Sequence, residues 1–495
     1  MGGFDRRNDG IGTKEGDMTE SRRTFLKKMG LLAAVGAAGT AAADEFVAVR
    51  GMKKLPPGAI GDPKNLWFSQ RIYPLPHTIE DGPSCLIENG KIIMPMRQVP
   101  VFHETDVVVV GGGPAGFAAA VAAARTGVKV ALVEKGGSLG GLFTNGMVLI
   151  MLATSVLRAN GEWDLVTRGI CEEFMLRARQ LGSFASTGAV SKTAHWQPTV
   201  DPEAAKYLMD TMITEAGVEM FFHAWGVDVI QEGESVRGVV FQSKQGLQAI
   251  LAKQVVDCTG DGDIFFAAGC DYRQVTHGIG FTVRLGNVDR VTAMKPPADP
   301  GIGYDGLPKP WPTCSNEGNG TAWWCGRLGP KGDGLSVRDV SKAEILHRKF
   351  WWEHVAKMRQ TPGWEQVYIV NTCSQIGPRA TRILKSEFIS DRAAESRGEN
   401  AREVVGCFGN CGAHNGMTLN YRTLLPTKGE NILAAGRCIG APDTIDTFRL
   451  ICPCFVSGQA AGTAAALAVR ENVTPRQLNV GSLRSALQKA DVFLG

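Results

Sequence analysis

Three glycines in a short turn have the spacing that binds the diphosphate of a dinucleotide. Gly111, Gly113 and Gly116 form the pattern G-x-G-x-x-G between an apolar run and an alanine-rich stretch. The first glycine permits a tight turn, the second lets the backbone approach a pyrophosphate, and the third lets a helix pack close to a strand. The N-terminus of that helix would face the diphosphate. The alternative is a glycine-rich loop that binds nothing.

A carboxylate follows at the position that such a site requires. The sequence predicts a buried strand over residues 106–110, a helix over 114–126 and a second buried strand over 128–133. Glu134 ends the second strand, where its carboxylate would accept hydrogen bonds from ribose hydroxyls. This βαβ unit favours dinucleotide binding over an idle glycine-rich loop.

Further motifs follow in order along the chain, and together they resemble those of the bacterial FAD-dependent oxidoreductases. These flavoproteins have a fold like that of fumarate reductase and glutathione reductase. The resemblance covers residues 104–470 and is carried by five stretches: Gly111 to Gly116 with Glu134, Asp257 to Asp263, Ile376 to Arg382, Ala435 to Cys438, and Gly458 to Ala468.

The resemblance implies that FAD is the cofactor, with its adenosine end against Glu134 and the strands near Val227 and Thr259. The flavin ring would lie near Thr144 and the N-terminus of the helix that contains Gly458. The residues implied to bind FAD are Gly111, Gly113, Pro114, Ala115, Gly116, Glu134, Lys135, Gly140, Gly141, Thr144, Val227, Thr259, Gly260, Asp261, Gly436, Arg437, Gly458 and Gln459.

The expected fold class is α/β. It comprises a Rossmann-like FAD-binding domain, built from a parallel sheet and an antiparallel meander, and a smaller α+β substrate lobe. The expected organisation is a signal peptide over 1–43, a lead segment over 44–103, the first part of the FAD-binding domain over 104–275, the substrate lobe over 276–375, and the return of the FAD-binding domain over 376–495.

Candidate catalytic residues come from motifs near the expected flavin. His414 is a candidate acid or base because imidazole titrates near neutral pH. The alternative, which the sequence favours, is a surface loop in which this His only caps a neighbouring group. Arg379 and Arg449 match arginines of the family and suit a carboxylate or a cofactor phosphate. An internal salt bridge is the alternative for both. Asp446 is the remaining carboxylate near that helix.

The motifs favour hydride transfer between a small organic substrate and flavin N5. The sequence has no second G-x-G-x-x-G after a strand and no haem-attachment motif. Electrons would therefore pass to or from a separate carrier such as a quinone or cytochrome, oxygen, or the substrate itself. A NAD-dependent dehydrogenase or a NAD-retaining lyase with the same fingerprint is the alternative enzyme, and a flavin-stabilised binding protein is the non-enzymatic one.

Composition is that of a globular protein with 44% hydrophobic and 21% charged residues among 495. A formal net charge of +4 without a basic stripe argues against a nucleic-acid partner. The twelve cysteines include no C-x-x-C pair, and no H-E-x-x-H motif occurs, so we expect no metal centre. A redox-active pair of Cys407 and Cys411 remains an alternative to plain buried thiols.

The first residues resemble a twin-arginine export signal, which carries proteins that have already folded. Arg22 and Arg23 precede an apolar run over residues 29–43 that ends in an A-x-A cleavage pattern. The run is too short and too rich in Gly and Ala to span a bilayer, although a retained anchor is the alternative. Translation could also start at Met18. The expected location is the periplasm or another exported compartment, with the export machinery as a partner and no stable membrane span after cleavage.

Overall fold

The computed structural model describes residues 85–94, 96, 98–182, 185–186, 197–288, 313–316, 321–326, 331–409 and 416–495. They belong to one compact unit, which spans Ile79–Gly495. The predicted signal peptide, most of the predicted lead segment, and the predicted site residues His414 and Cys411 lie outside the described residues.

The described chain contains twenty-one strands and nine α-helices. The strands are β1 Leu86–Glu88, β2 Lys91–Ile93, β3 Val101–Val110, β4 Val130–Val133, β5 Ser155–Leu157, β6 Trp163–Leu165, β7 Glu219–Phe221, β8 Trp225–Glu232, β9 Ser235–Ser243, β10 Gly246–Asp257, β11 Tyr272–Gln274, β12 His277–Gly286, β13 Thr313–Asn316, β14 Thr321–Gly326, β15 Lys331–Gly332, β16 Tyr368–Thr372, β17 Gly377–Pro378, β18 Arg382–Leu384, β19 Val404–Gly409, β20 Gly416–Asn420 and β21 Ile432–Ala434. The helices are α1 Pro114–Arg125, α2 Ile170–Gln180, α3 Pro202–Glu215, α4 Asp263–Ala267, α5 Val337–Met358, α6 Arg392–Ser396, α7 Ile445–Phe448, α8 Ile451–Glu471 and α9 Val480–Lys489. Short 3₁₀ helices cover Glu399–Ala401, Tyr421–Leu424 and Pro475–Gln477.

The largest sheet combines a parallel layer with an antiparallel meander. Its order is β7-β4-β3-β10-β9-β8, and β21 also pairs with β10. Strand β10 is long enough to have two neighbours on one edge: its first half pairs antiparallel with β9 and its last three residues pair parallel with β21. Strands β7, β4, β3, β10 and β21 are therefore parallel. This arrangement confirms the predicted α/β class.

Strand β3 starts earlier than the sequence predicts. The apolar pattern places its start at residue 106, but the strand begins at Val101, inside the predicted lead segment. Its first residues are mostly exposed and carry no apolar pattern, but pairing with β10 extends the strand to Val101. The Phe102 ring also packs edge-on against Phe221 and Phe241, at centroid distances of 5.1 and 5.5 Å. Tertiary pairing, which the local pattern does not encode, sets the start of this strand.

Helices α1 and α8 lie side by side with their backbones in contact. A Cβ added at Gly458 would lie 2.0 Å from the carbonyl oxygen of Ala115, and one at Gly462 would lie 2.0 Å from that of Ala119. Equal steps of four residues on both helices show that they run parallel. Helix α8 is long and apolar enough to cross a membrane, but 94% of its most apolar window is buried within the protein, as expected of a central core helix.

A second sheet forms the smaller lobe. Strand β12 is its centre and pairs with β14, β15, β16 and β17. Helix α5 covers this sheet with a buried face that includes Phe350 and the fully buried Trp351. The His347 ring stacks on Phe281 of β12 at 5.3 Å. These residues belong to a hydrophobic core separate from that of the larger sheet.

Candidate functional site

A cleft opens at the carboxyl ends of the parallel strands. Val110 ends β3, Val133 ends β4, and Cys258 follows β10, and all three line it. Gly436, two residues beyond β21, lines it as well. Because ligands of open α/β sheets bind outside the carboxyl ends of the strands, this cleft is the candidate site.

The three glycines of the turn are required for three different reasons. Gly111 has a φ of +98°, and an added Cβ would lie 2.5 Å from the carbonyl oxygen of Cys258. A Cβ at Gly116 would lie 1.7 Å from the carbonyl oxygen of Gly111, which keeps helix and strand in close contact. A Cβ at Gly113 would meet nothing within 4 Å, yet Gly113 lines the cleft. Of the three, Gly113 alone leaves open space that a ligand can fill.

Two helices direct their N-termini at the cleft. Gly113 caps α1 and Leu450 caps α8, and neither helix has a side-chain cap on its first backbone amides. Ala115 of α1 and Ile451 of α8 line the cleft. The partial positive charge of each helix is thus available to an anionic ligand group. Gly458 of α8 lies opposite Ala115, near the start of α1. Helix α8 begins seven residues before Gly458, so its N-terminus lies about 10 Å from that contact along the helix axis.

Glu134 is a rigid acceptor at one end of the cleft. Its side chain is 5% exposed, and its two oxygens accept hydrogen bonds from the backbone amides of Gly112 and Gly136, each at 2.6 Å. A carboxylate oxygen can accept two hydrogen bonds, so each oxygen keeps one acceptor position. Ribose hydroxyls can take these positions. The residue that the spacing singled out is therefore held in a fixed orientation.

Near Glu134 the cleft is bounded by an aromatic side chain that the sequence motifs did not indicate. Trp225 lines the cleft, is 56% exposed and lies under the Lys135 ammonium, which is 5.7 Å from the ring centroid. Strand β7 is parallel to β4, so the residues that follow β7 emerge at the cleft edge. That topology is the signal that could have identified Trp225. An exposed indole at this end is suited to stacking on an aromatic base.

Arg437 offers an unused hydrogen-bond donor to the cleft. It is 9% exposed, and its Nη2 pairs with Oδ1 of Asp261 at 2.7 Å. The same oxygen accepts a hydrogen bond from the Thr381 hydroxyl at 2.7 Å. Among the described residues, the buried Nη1 of Arg437 has no hydrogen-bond partner. A buried guanidinium N–H without a partner is costly, so this position suits an acceptor on a bound ligand.

Asp257 shapes the motif that carries Thr259 to the cleft. Its fully buried carboxylate accepts hydrogen bonds from the amide and hydroxyl of Thr259 and from the amides of Ile264 and Phe265. Burial raises the pKa of Asp257 to about 6, while the hydrogen bonds from Phe265 and Thr259 oppose that rise. The carboxylate fixes the turn between β10 and α4.

At the other end, Arg449 belongs to a cluster with two polar side chains that lie outside the cleft lining. Arg449 lines the cleft and donates from Nε and Nη2 to Oδ1 of Asp446, at 3.1 and 2.8 Å. Nε2 of His277 is 3.3 Å from the same oxygen. Burial lowers the pKa of His277, the Asp446 charge opposes this, and Arg449 and Arg379 lower it further. His277 comes from the smaller lobe and was not predicted, because its neighbours are distant in sequence.

The structure separates the predicted site residues into two groups. Those that line the cleft are Gly111, Gly113, Pro114, Ala115, Glu134, Lys135, Gly141, Thr259, Gly260, Gly436, Arg437 and Arg449. Those outside its lining are Gly116, Gly140, Thr144, Val227, Asp261, Arg379, Gly458 and Gln459. Asp261 supports the wall from behind, because its carboxylate pairs with Arg437.

Thr144 and Gln459 bind protein groups instead of the cleft. Thr144 is 2% exposed and its hydroxyl donates to the carbonyl oxygen of Leu139 at 2.5 Å. The side-chain oxygen of Gln459 accepts a hydrogen bond from the amide of Ile170 at 2.9 Å. The part of α8 that reaches the cleft is its first turn, with Ile451 and Cys454, which precedes Gln459 in the helix.

Comparison with known proteins gives short sequence matches and a broad structural one. A dihydrolipoyl dehydrogenase of Trypanosoma brucei brucei is 57% identical over 49 residues, 10% of each chain. A leghemoglobin reductase of Glycine max is 55% identical over 42 residues, 8% of each chain. The chain thus matches about a tenth of the length of these relatives. The p-nitrophenol 4-monooxygenase of Pseudomonas putida superposes with a TM-score of 0.42 at 13% identity, covering 79% of this chain and 86% of that one.

Family membership rests on a match that spans most of the chain. Residues 106–487 match the family described as FAD dependent oxidoreductase. The match includes the glycine turn, Glu134, the Asp257 turn and helix α8, which together build the cleft. The chain therefore belongs to the FAD dependent oxidoreductase family, and FAD is its cofactor.

Proposed function

We propose that this oxidoreductase transfers hydride between a small organic substrate and its flavin, and that a separate carrier completes the electron cycle. One observation carries the proposal. A single cleft runs from Glu134 and the glycine turn to the N-terminus of α8, where Gln375 from the segment beyond the smaller lobe's β16 also lines it. The cleft therefore joins a dinucleotide cradle to a region where both lobes meet.

The residues present fit FAD along the length of the cleft. Glu134 would hold the ribose, and Trp225 would stack on the adenine. Gly113 and the N-terminus of α1 would face the diphosphate, and Nη1 of Arg437 would donate to an acceptor on the cofactor. When bound, FAD supplies a two-electron acceptor for substrate oxidation. The N-terminus of α8 would stabilise negative charge at the ring end.

We assign substrate binding to arginines near the end of the cleft where the flavin ring would lie. Arg449 lines the cleft and carries a fork of donors, so it would orient an anionic or carbonyl group. Arg379 follows β17, which pairs with the first residues of β12 beside His277. His414 stays a proposed acid or base on the ground of its residue type and its sequence neighbours.

A separate electron carrier is proposed from the sequence. The chain has one dinucleotide fingerprint and no haem-attachment motif, which favours a quinone, a cytochrome or another external carrier. Export is proposed from Arg22, Arg23 and the apolar run that ends in A-x-A. An FAD enzyme that folds around its cofactor in the cytoplasm would need a route for folded proteins.

Anaerobic flavin bleaching against a metabolite panel tests the proposed reaction. The purified protein should show flavin absorbance, and at least one small organic compound should bleach it without added enzyme. Reoxidation by quinone analogues or a cytochrome would then identify the carrier class. A protein that purifies colourless with bound NAD would support the dehydrogenase or lyase alternative. Flavin that no compound reduces or reoxidises would favour a binding protein.

A further inference from the structure

Three hydrogen-bond donors converge on one carboxylate oxygen beside the cleft, and one donor residue, Arg449, lines it. Nε and Nη2 of Arg449 reach Oδ1 of Asp446 at 3.1 and 2.8 Å, and Nε2 of His277 reaches it at 3.3 Å. The amide of Gly278 donates to Nδ1 of His277 at 2.8 Å. Because Nδ1 is thus an acceptor, the neutral ring carries its proton on Nε2 and donates it to the carboxylate.

The donors come from elements that meet only in the folded protein. His277 opens β12 in the smaller lobe, whereas Asp446 lies in α7 and Arg449 immediately precedes the cap of α8. Pairing of Ile279 with Pro378 brings Arg379 toward the same place. Burial opposes ionisation of Asp446, but the hydrogen bond from Arg449 and the charges around it, including that of Arg379, hold its pKa below the usual value. Two guanidinium groups thus act on this carboxylate.

The acceptor is the most exposed member of this cluster. The Asp446 side chain is 68% exposed, whereas those of Arg449 and His277 are 21% and 25% exposed. Both nitrogens of Arg449 share one oxygen, so the fork does not pair with two carboxylate oxygens as it does in the strongest contacts. Helix α7, which carries Asp446, is only four residues long. The two donor side chains are thus mostly buried, whereas the carboxylate that they bind is open to solvent.

We propose that Asp446 occupies the position of a substrate carboxylate, and that the substrate is a small organic acid. This inference rests on the proposed function and adds the substrate class to it. The acid displaces Asp446 into solvent and binds to the fork of Arg449, to Nε2–H of His277 and to the charge of Arg379. Arg449 and Ile451 both line the cleft, so an acid held by Arg449 lies beside the N-terminus of α8. Asp446 then acts as a built-in competitor.

Titration of the holoenzyme with simple acids tests this site. The probes are acetate, benzoate and succinate, with acetamide, benzamide and succinamide as neutral counterparts. Binding is read from the change in flavin absorbance and, independently, from thermal stabilisation. At least one acid should bind the wild type, and its amide should not. Arg449→Gln should weaken that binding by about 10- to 100-fold, as loss of hydrogen bonds to a charged group predicts.

Asp446 gives the sharper comparison. Asp446→Asn should tighten acid binding by about 3- to 10-fold because the competing charge is removed. Asp443→Asn is the matched control, since it removes an equal exposed charge three residues earlier and should leave binding unchanged. Weaker acid binding in Asp446→Asn, or equal binding of acids and amides, would overturn the proposal. The titration detects acid binding without reduction of the flavin, whereas the proposed function fails only if no compound bleaches the flavin, so the two failures are distinguishable.

Discussion

Gly113 and Gly116 belong to one turn but differ in what surrounds their Cβ positions. The Cβ position of Gly113 is empty and opens into the cleft, whereas that of Gly116 is filled by the Gly111 carbonyl oxygen. Alanine at these two neighbouring glycines should therefore act on different properties of the protein. At Gly113 the added methyl would take space that the cofactor needs. At Gly116 it would clash with the backbone and destabilise the fold.

We expect Gly113→Ala to fold normally and to lose most of its FAD. Gly116→Ala should unfold at a lower temperature because its methyl would need backbone to move. Flavin absorbance per protein and thermal unfolding, measured on both variants, separate the two effects. Gly280→Ala is the control, since its Cβ would lie 3.7 Å from the nearest atom, in ordinary contact. Full flavin occupancy in Gly113→Ala would place the diphosphate elsewhere.

Glu134 supplies the second residue-scale prediction. Glu134→Gln should keep the shape of the side chain but lose charge and one acceptor, because an amide nitrogen would face a backbone amide. Each lost charge-assisted hydrogen bond is worth about 1.5–3 kcal/mol. FAD affinity of the refolded apoprotein should fall accordingly, and Glu162→Gln, an exposed position, should not change it. Unchanged affinity would remove Glu134 from the ribose site.

The cysteines give a third prediction. Nine cysteines with described side chains are free thiols, and of these Cys85 is exposed and the other eight are buried. Burial raises the pKa of Cys454 to about 12 and keeps the thiol protonated. Iodoacetamide followed by peptide mapping should modify Cys85 in the native protein and leave Cys258 and Cys454 unmodified until denaturation. Rapid native labelling of Cys454 would show that the reagent reaches its thiol through the cleft, which Cys454 lines.

The spacing of residues in the sequence identified some of the site residues but not others. Gly111, Gly113 and Glu134 lie within one βαβ unit, so local chemistry and the strand pattern predict their meeting. Trp225 reaches the cleft, and His277 reaches Asp446 beside it, through pairing that no local pattern encodes. His277 depends on the meeting of two lobes, and Trp225 depends on the place of β7 beside β4. Their roles therefore had to be found in three dimensions.

At the scale of elements, helix α8 shows what a motif can and cannot predict. The alanine-rich stretch correctly predicts a long buried helix near the C-terminus. It also suggests that the glycine of that stretch faces the cofactor, but Gly458 and Gly462 face the backbone of α1. The helix extends to Ile451, and this earlier turn lines the cleft. The small residues of the motif thus allow the two helices to pack closely.

Gly458→Ala should destabilise the protein even though Gly458 lies outside the cleft lining. The added methyl would lie 2.0 Å from the Ala115 carbonyl oxygen, and relief of such overpacking typically costs about 1–3 kcal/mol. Chemical unfolding monitored by circular dichroism would measure the loss. The control is again Gly280→Ala, which adds the same methyl where only ordinary contacts surround it. Stability equal to that of the wild type would mean that the two helices separate freely.

At the scale of the whole molecule, the twin-arginine proposal predicts where the folded protein goes. Replacement of Arg22 and Arg23 by lysine keeps the charge and should leave the protein in the cytoplasm with FAD bound. Fractionation with flavin absorbance as the readout compares this variant with the native sequence. Arg6 and Arg7, replaced by lysine in the same way, are the control pair. Normal export of the Arg22 and Arg23 variant would exclude this route.

The contact between α1 and α8 has a consequence for how such an enzyme can diversify. The two helices meet backbone to backbone, so their N-termini are held at a fixed offset along a shared axis. A slide of either helix would cost both glycine contacts at once. The partial positive charges of the two helix N-termini therefore cannot change their positions in the cleft independently. New reactivity is more easily acquired by exchange of side chains in the segment beyond β16, which contributes Gln375 to the cleft without carrying that constraint.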